Sequence, residues 1–123
     1  MAKPRTLLAH SDRAFLDRLA RVLSPEFEII STLHDVELLP RYVRRMRPDL
    51  IVQSFADSSS AGSEIIEKIA QIASDTCVVL VTPTVDDRVI ANAFGRTVSA
   101  VILQSASDQE FLEGIRAAYT RRK

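Results

Sequence analysis

The sequence predicts an α/β fold in which an open, five-stranded parallel sheet is covered on both faces by five helices. Two observations carry this expectation. Short apolar runs rich in β-branched residues recur along the chain, and between them lie segments whose apolar residues repeat at helical spacing. Regular alternation of the two kinds is the pattern of a parallel sheet built from strand–helix–strand units. A third observation sets the scale. The chain has 123 residues, of which 46% are apolar, enough for one core and one domain spanning residues 1–123.

The elements follow in order. Strands are expected at residues 6–9, 27–31, 50–52, 78–82 and 100–103. Phe15, Leu16, Leu19, Val22 and Leu23 make one face of a first helix, which Pro25 stops. Val36, Leu39, Val43 and Met46 predict a second, with Pro40 making its first turn late or irregular. Ile65, Ile66, Ile69, Ile72 and Ala73 define a third, with Ser63 as N-cap. Val89, Ile90, Ala93 and Phe94 give a short fourth that ends near Gly95. In the fifth, Ser107 and Glu110 have capping-box spacing, and Phe111, Leu112, Ile115, Ala118 and Tyr119 follow on one face. Right-handed crossovers leave few topologies for five such units, and the flavodoxin-like, doubly wound order 2-1-3-4-5 is the commonest.

Composition excludes several classes. Sixteen basic and sixteen acidic residues give zero net charge, so no global field draws the chain to nucleic acid or anionic lipid. The longest unbroken apolar stretch, Cys77 to Val81, is far too short to cross a bilayer. Met1 to Arg13 has no apolar run of the kind a signal peptide needs. A single cysteine makes no internal disulfide and points to a reducing cytoplasm, and with only two histidines beside it no structural zinc site is expected. Cys77 reads as a small buried hydrophobe, and His34 carries no signal of its own.

In the predicted topology, ligands sit beyond the carboxyl ends of the strands. The residues there are His10, Ser11 and Asp12, then Gln53 to Asp57, then Thr82 and Pro83, then Gln104 and Ser105. The segments leading to them are Leu7-Leu8-Ala9-His10-Ser11-Asp12-Arg13, Arg47-Pro48-Asp49-Leu50-Ile51-Val52, Val78-Val79-Leu80-Val81-Thr82 and Ser99-Ala100-Val101-Ile102-Leu103-Gln104. In order and spacing they resemble the signature strands of a response-regulator receiver domain of the CheY-like superfamily. Arg47-Pro48-Asp49 and Phe111-Leu112-Glu113-Gly114-Ile115-Arg116-Ala117-Ala118 are most similar to receivers of helix-turn-helix (NarL/LuxR-type) response regulators.

The resemblance implies a pocket in which two acidic residues hold magnesium, an aspartate accepts the phosphoryl group, a Thr or Ser binds its oxygens and a lysine neutralises them. In register, the acidic pair falls on His10 and Ser11, the acceptor on Ser54, the hydroxyl on Thr82 and the lysine on Gln104. The aromatic switch position falls on Val101. Only Thr82 keeps the family's residue type. Magnesium prefers oxygen donors, chiefly carboxylates, in near-octahedral array, and an unactivated serine hydroxyl is a weak nucleophile. Without the metal and the lysine, nothing balances charge developing on a transferring phosphoryl group. The expectation is a degenerate pseudo-receiver without cofactor or metal.

Three other readings of these residues are a phosphorelay receiver with an unorthodox acceptor, a hydrolase and a nucleic-acid contact. A register slip bringing Asp12 or Asp57 into the pocket makes the chain a phosphorelay receiver with a non-standard acceptor. Such a slip turns a side chain to the opposite face, so a helix N-cap and a loop residue are the simpler assignments. His10, Ser11 and Ser54 lack the Gly-x-Ser-x-Gly elbow of a hydrolase, so no enzyme is expected. Arg41, Arg44, Arg45 and Arg47 form the densest positive patch, but Asp35, Glu37 and Asp49 flank it and no aromatic interleaves it.

The expected role is a cytoplasmic regulatory module that contacts protein partners or a second copy of itself. The resemblance places that contact on the fourth helix, fifth strand and fifth helix, with Arg88, Asn92, Arg96, Gln109, Glu113, Arg116 and Tyr119 as candidates, Tyr119 having an alternative place on the core face of its helix. Control through abundance, a partner, or a small ligand under Thr82 stays open. Arg121-Arg122-Lys123 is either a solubilising end or the start of a linker to an output domain, through which alone DNA would be reached.

Overall fold

All five apolar runs form strands. A computed structural model, which describes residues 2–54, 60–84 and 98–121, contains β1 (Arg5–Ala9), β2 (Glu28–Leu33), β3 (Leu50–Ser54), β4 (Cys77–Thr82) and β5 (Val98–Leu103). They make one parallel sheet in the expected order β2-β1-β3-β4-β5. Four helices are found among the described residues: α1 (Arg13–Leu23), α2 (Leu39–Met46), α3 (Ser60–Ile72) and α4 (Asp108–Arg121). The helix expected from Val89, Ile90, Ala93 and Phe94 lies outside the described residues, as do Asp57, Arg88, Asn92 and Arg96.

Local chemistry explains where the helices begin and end. Asp12 caps α1, its Oδ1 accepting the backbone N–H groups of Ala14 at 3.0 Å and Phe15 at 3.2 Å. The irregular entry expected from Pro40 is a short 3₁₀ turn, Val36–Leu38, that runs into α2. Pro40 then falls in the first turn of α2, where its missing N–H needs no partner. α3 begins at Ser60, so Ser63 lies inside the helix and not at its cap. Serines also stand at positions 58, 59 and 60, so residue type alone does not select position 63. β2 is also displaced, because Phe27 is buried ahead of the strand in the turn that closes α1, its N–H bonded to the Leu23 carbonyl at 2.8 Å.

Alternation along the strands divides the core between two faces. Leu7, Ala9, Ile51, Val78 and Leu80 point toward Leu39 and Val43 of α2 and Ile66 and Ile69 of α3. Leu8, Leu50, Val52, Val79 and Val81 point toward Leu16 and Leu19 of α1 and Phe111 and Ile115 of α4. The central strands β3 and β4 are buried on both faces, as their unbroken apolar runs require. Both edge strands carry a register shift: Ile30 falls between pairs on β2 and Ser99 between pairs on β5. Such bulges locally break an edge that would otherwise offer a regular template to another strand.

The fifth predicted helix, α4, has the capping box its sequence announces. The backbone N–H of Glu110 donates to Ser107 Oγ at 3.1 Å, and that of Ser107 donates to Glu110 Oε1 at 2.8 Å. The Ser107 backbone bond is the main cause holding the Glu110 carboxyl below its ordinary range. The hydrogen bond from Arg116 does the same for Glu26. Because both folded-state values are depressed, their stabilising contributions are complete above the unfolded carboxylate value and are lost as pH falls through the folded ones. Thermal melts should therefore fall off below about pH 4.5, and more shallowly in a Glu110→Gln, Glu26→Gln variant. An unchanged acid slope in that variant would remove these two groups from the account.

Candidate functional site

The carboxyl ends of β1, β3, β4 and β5 gather the residues that the sequence singled out. Strand parity assigns their sides. His10 and Ser54 continue the Leu8 and Val52 positions toward α1 and α4, whereas Gln53 and Thr82 continue the Ile51 and Leu80 positions toward α2 and α3. His10, 4% exposed, is one of the few buried polar residues. Ser54 is half-buried and Ser11 exposed.

His10 is held from both ring nitrogens. Nδ1 accepts the backbone N–H of Asp12 at 2.9 Å, so the ring proton belongs on Nε2. Nε2 lies 3.1 Å from Gln104 Oε1, to which it donates. This bond joins residues at the ends of β1 and β5, spanning the two strands that lie between them. His10 and Gln104, which the resemblance sets at the positions of an acidic residue and the lysine, are thus joined to each other by a neutral hydrogen bond. Gln104 also donates its backbone N–H to the Thr82 carbonyl at 2.8 Å, which extends the β4–β5 pairing to the site. The Thr82 hydroxyl donates to the Thr84 carbonyl at 2.8 Å.

An aromatic column supports the histidine. His10 packs on Phe15 with ring centroids 4.5 Å apart, and Phe15 meets Phe111 edge-on at 5.5 Å. The Arg18 guanidinium lies 5.7 Å from the Phe15 ring and 5.4 Å from that of Phe111. Its Nε donates to Asp108 Oδ1 at 2.6 Å and its Nη2 to the Ala106 carbonyl at 2.9 Å. Arg18 therefore ties α1 to the segment that follows β5. Sequence reasoning did not single out this residue. The available signal was its position three residues after Phe15, on the same side of α1.

This donor set does not fit magnesium. His10 presents one imidazole already bonded on both nitrogens, Ser11 and Ser54 supply hydroxyls, and the Asp12 carboxylate is turned to the start of α1. Among the described residues no group of three His, Cys, Asp or Glu side chains is placed to hold a metal ion. Val101, expected from the resemblance at the aromatic switch position, is half-buried against the α2–α3 side of the core.

Of the expected contact face, Gln109, Glu113, Arg116 and Tyr119 are among the described residues. Gln109, Glu113 and Arg116 line a groove of about 480 Å³ between α4 and α1, together with Arg21, Val22 and Leu112. At 100° per residue these three positions share one flank of α4, while Gly114 lies on the other, where an added Cβ would meet Ile102 Cδ1 of β5 at 3.0 Å. Gln109, Glu113 and Arg116 therefore flank α1 instead of extending a surface with β5. Arg116 Nε donates to Glu26 Oε1 at 3.0 Å, and Gln109 to Glu113 at 3.1 Å. Tyr119 sits on the core side of its helix, edge-on to Phe27 at 6.3 Å. The sequence defined the buried stripe of α4 but could not say on which side α1 would lie.

No protein-family model and no curated protein matches the chain. Solved structures do. The signal receiver domain of the putative response regulator NarL from Mycobacterium tuberculosis superposes with a TM-score of 0.85 at 12% identity, over 98% of this chain and 99% of that one. A CheY-like response regulator receiver domain protein from Methanospirillum hungatei gives 0.87 at 17% identity, over 98% and 97%. A LuxR-family two-component response regulator from Aurantimonas sp. gives 0.86 at 18% identity, over 99% and 89%. The chain thus has the fold of CheY-like receiver domains. No helix of the described residues is long and apolar enough to cross a membrane.

Proposed function

We propose that this chain is a pseudo-receiver, a cytoplasmic signalling module that acts by protein–protein contact and not by accepting phosphate. The receiver fold supports a role in two-component signalling, where such domains generally serve as switch modules for output domains or partner proteins. The observation that carries the phosphate-independent reading is the His10–Gln104 hydrogen bond, backed by the Phe15–Phe111 column. A working pocket needs charge at both of those positions, and here each neutral side chain satisfies the other. In this reading the site holds one conformation, and regulation comes through the amount of protein or the partner bound.

Partner contact is assigned to the exposed flanks of α4, with a second copy of the chain or an output domain as alternative occupants. The competing reading, a phosphorelay receiver with Asp12 or Asp57 as acceptor, rests on Asp57 alone among unassigned carboxylates, since Asp12 serves as the α1 cap. Magnesium titration followed by amide chemical shifts tests the proposal. We expect no saturable shift at His10, Ser11, Ser54 or Gln104 up to roughly 20 mM, a concentration at which a site with a millimolar dissociation constant would be nearly filled. Saturable shifts at those positions would favour the phosphorelay reading.

A further inference from the structure

A second surface, at the opposite end of the sheet, is independent of this functional reading. Arg41 and Arg44 lie three residues apart on α2, and Arg47 follows just past its end, so the helix spacing of three lines them along one flank. All three are exposed, and among the described residues no carboxylate comes within ion-pairing distance of them. Two acids that flank the patch in sequence are occupied elsewhere. Asp35 Oδ1 accepts the Glu37 backbone N–H at 3.0 Å, and Asp49 Oδ2 accepts that of Arg5 at 2.9 Å. In a chain of zero net charge, these cations are a segregated local excess.

The cations border a groove. Between α2 and α3 a cleft of about 480 Å³ is walled by Arg41 and Arg44 on one side and Lys68 on the other, with Pro40 and Ile72 contributing apolar surface. It shares Arg44, Gln71 and Ile72 with a larger cleft of about 670 Å³ that runs past Arg47 to the amino-terminal edge of the sheet. Asp49 and Asp75 enter only in that lower part. Arginine forks match carboxylates in bidentate geometry, and the apolar wall rewards a side chain between them.

We propose that the α2–α3 groove docks an acidic segment of a partner protein, with apolar side chains interspersed among its carboxylates. Nucleic acid fits less well, because a phosphate backbone gains nothing from the apolar wall and, among the described residues, no aromatic side chain lines the groove to stack a base.

Fluorescence anisotropy on the whole chain tests this. The probe is a dye-labelled peptide of about twelve residues alternating Asp-Glu pairs with leucine, longer when extended than the roughly 12 Å of α2. Binding should weaken at least about tenfold in Arg41→Glu, Arg44→Glu and by an intermediate factor in the milder Arg41→Gln, Arg44→Gln. It should change less than about twofold in Lys3→Glu, Arg13→Glu, which alters net charge equally away from both grooves. A peptide with serine for leucine should bind several-fold more weakly. Equal losses in both Glu pairs, indifference to the leucines, or no binding at all would overturn the proposal. So would tighter binding of single-stranded DNA of matched length that the groove variant abolishes, which would mark a nucleic-acid surface instead.

Discussion

Replacing Phe111 by alanine should lower unfolding stability by about 3–5 kcal/mol, a large part of the 5–15 kcal/mol typical of a domain. The ring is fully buried and lies at the junction of α4, α1 and the sheet. Its removal takes away the edge contact with Phe15 and one of the two rings under Arg18. The space left cannot close easily, because Phe15 is held on its other side by His10 at 4.5 Å. The effect should therefore reach the site, with the His10 ring signals broadening under conditions where the variant remains folded. Urea denaturation with an unchanged slope measures the stability change. A loss below about 1 kcal/mol would show that the column does not support the site.

Gln53→Leu should have the opposite sign and raise stability by about 1–3 kcal/mol. Gln53 is 1% exposed on β3, and its Oε1 has no hydrogen-bond partner among the described residues. Burying an acceptor without a partner carries much of its desolvation penalty, whereas leucine fills nearly the same volume on a face already lined by Ala9, Leu80 and Ile51. The urea midpoint should move up with the slope unchanged. A lower midpoint would mean that the amide makes a bond the leucine destroys. Polar residues left unsatisfied in a native core are often retained for function. For this reason partner binding should be measured in the same variant.

Much of the fold is local enough to read in the residues. Alternating β-branched runs located all five strands, and Pro40 and the Ser107–Glu110 pair announced an irregular entry and a helix start that the structure contains. Ser63 failed as a cap because several neighbouring serines were chemically equivalent. The site was legible as a set of positions and illegible as an interaction. His10 and Gln104 each read as the loss of a charged group, and nothing in the chain shows that residues 94 apart meet in one hydrogen bond. The flank of α4 that carries Gln109, Glu113 and Arg116 depended likewise on where α1 packs, which the periodicity of one helix does not contain.

The central claim is that this receiver fold does not take up phosphate, and intact mass after incubation with a small phosphodonor and magnesium tests it directly. The account predicts an unmodified mass for the wild-type chain and for Asp12→Asn and Asp57→Asn alike. A stoichiometric phosphate adduct that disappears in one of those variants would contradict it and identify the acceptor.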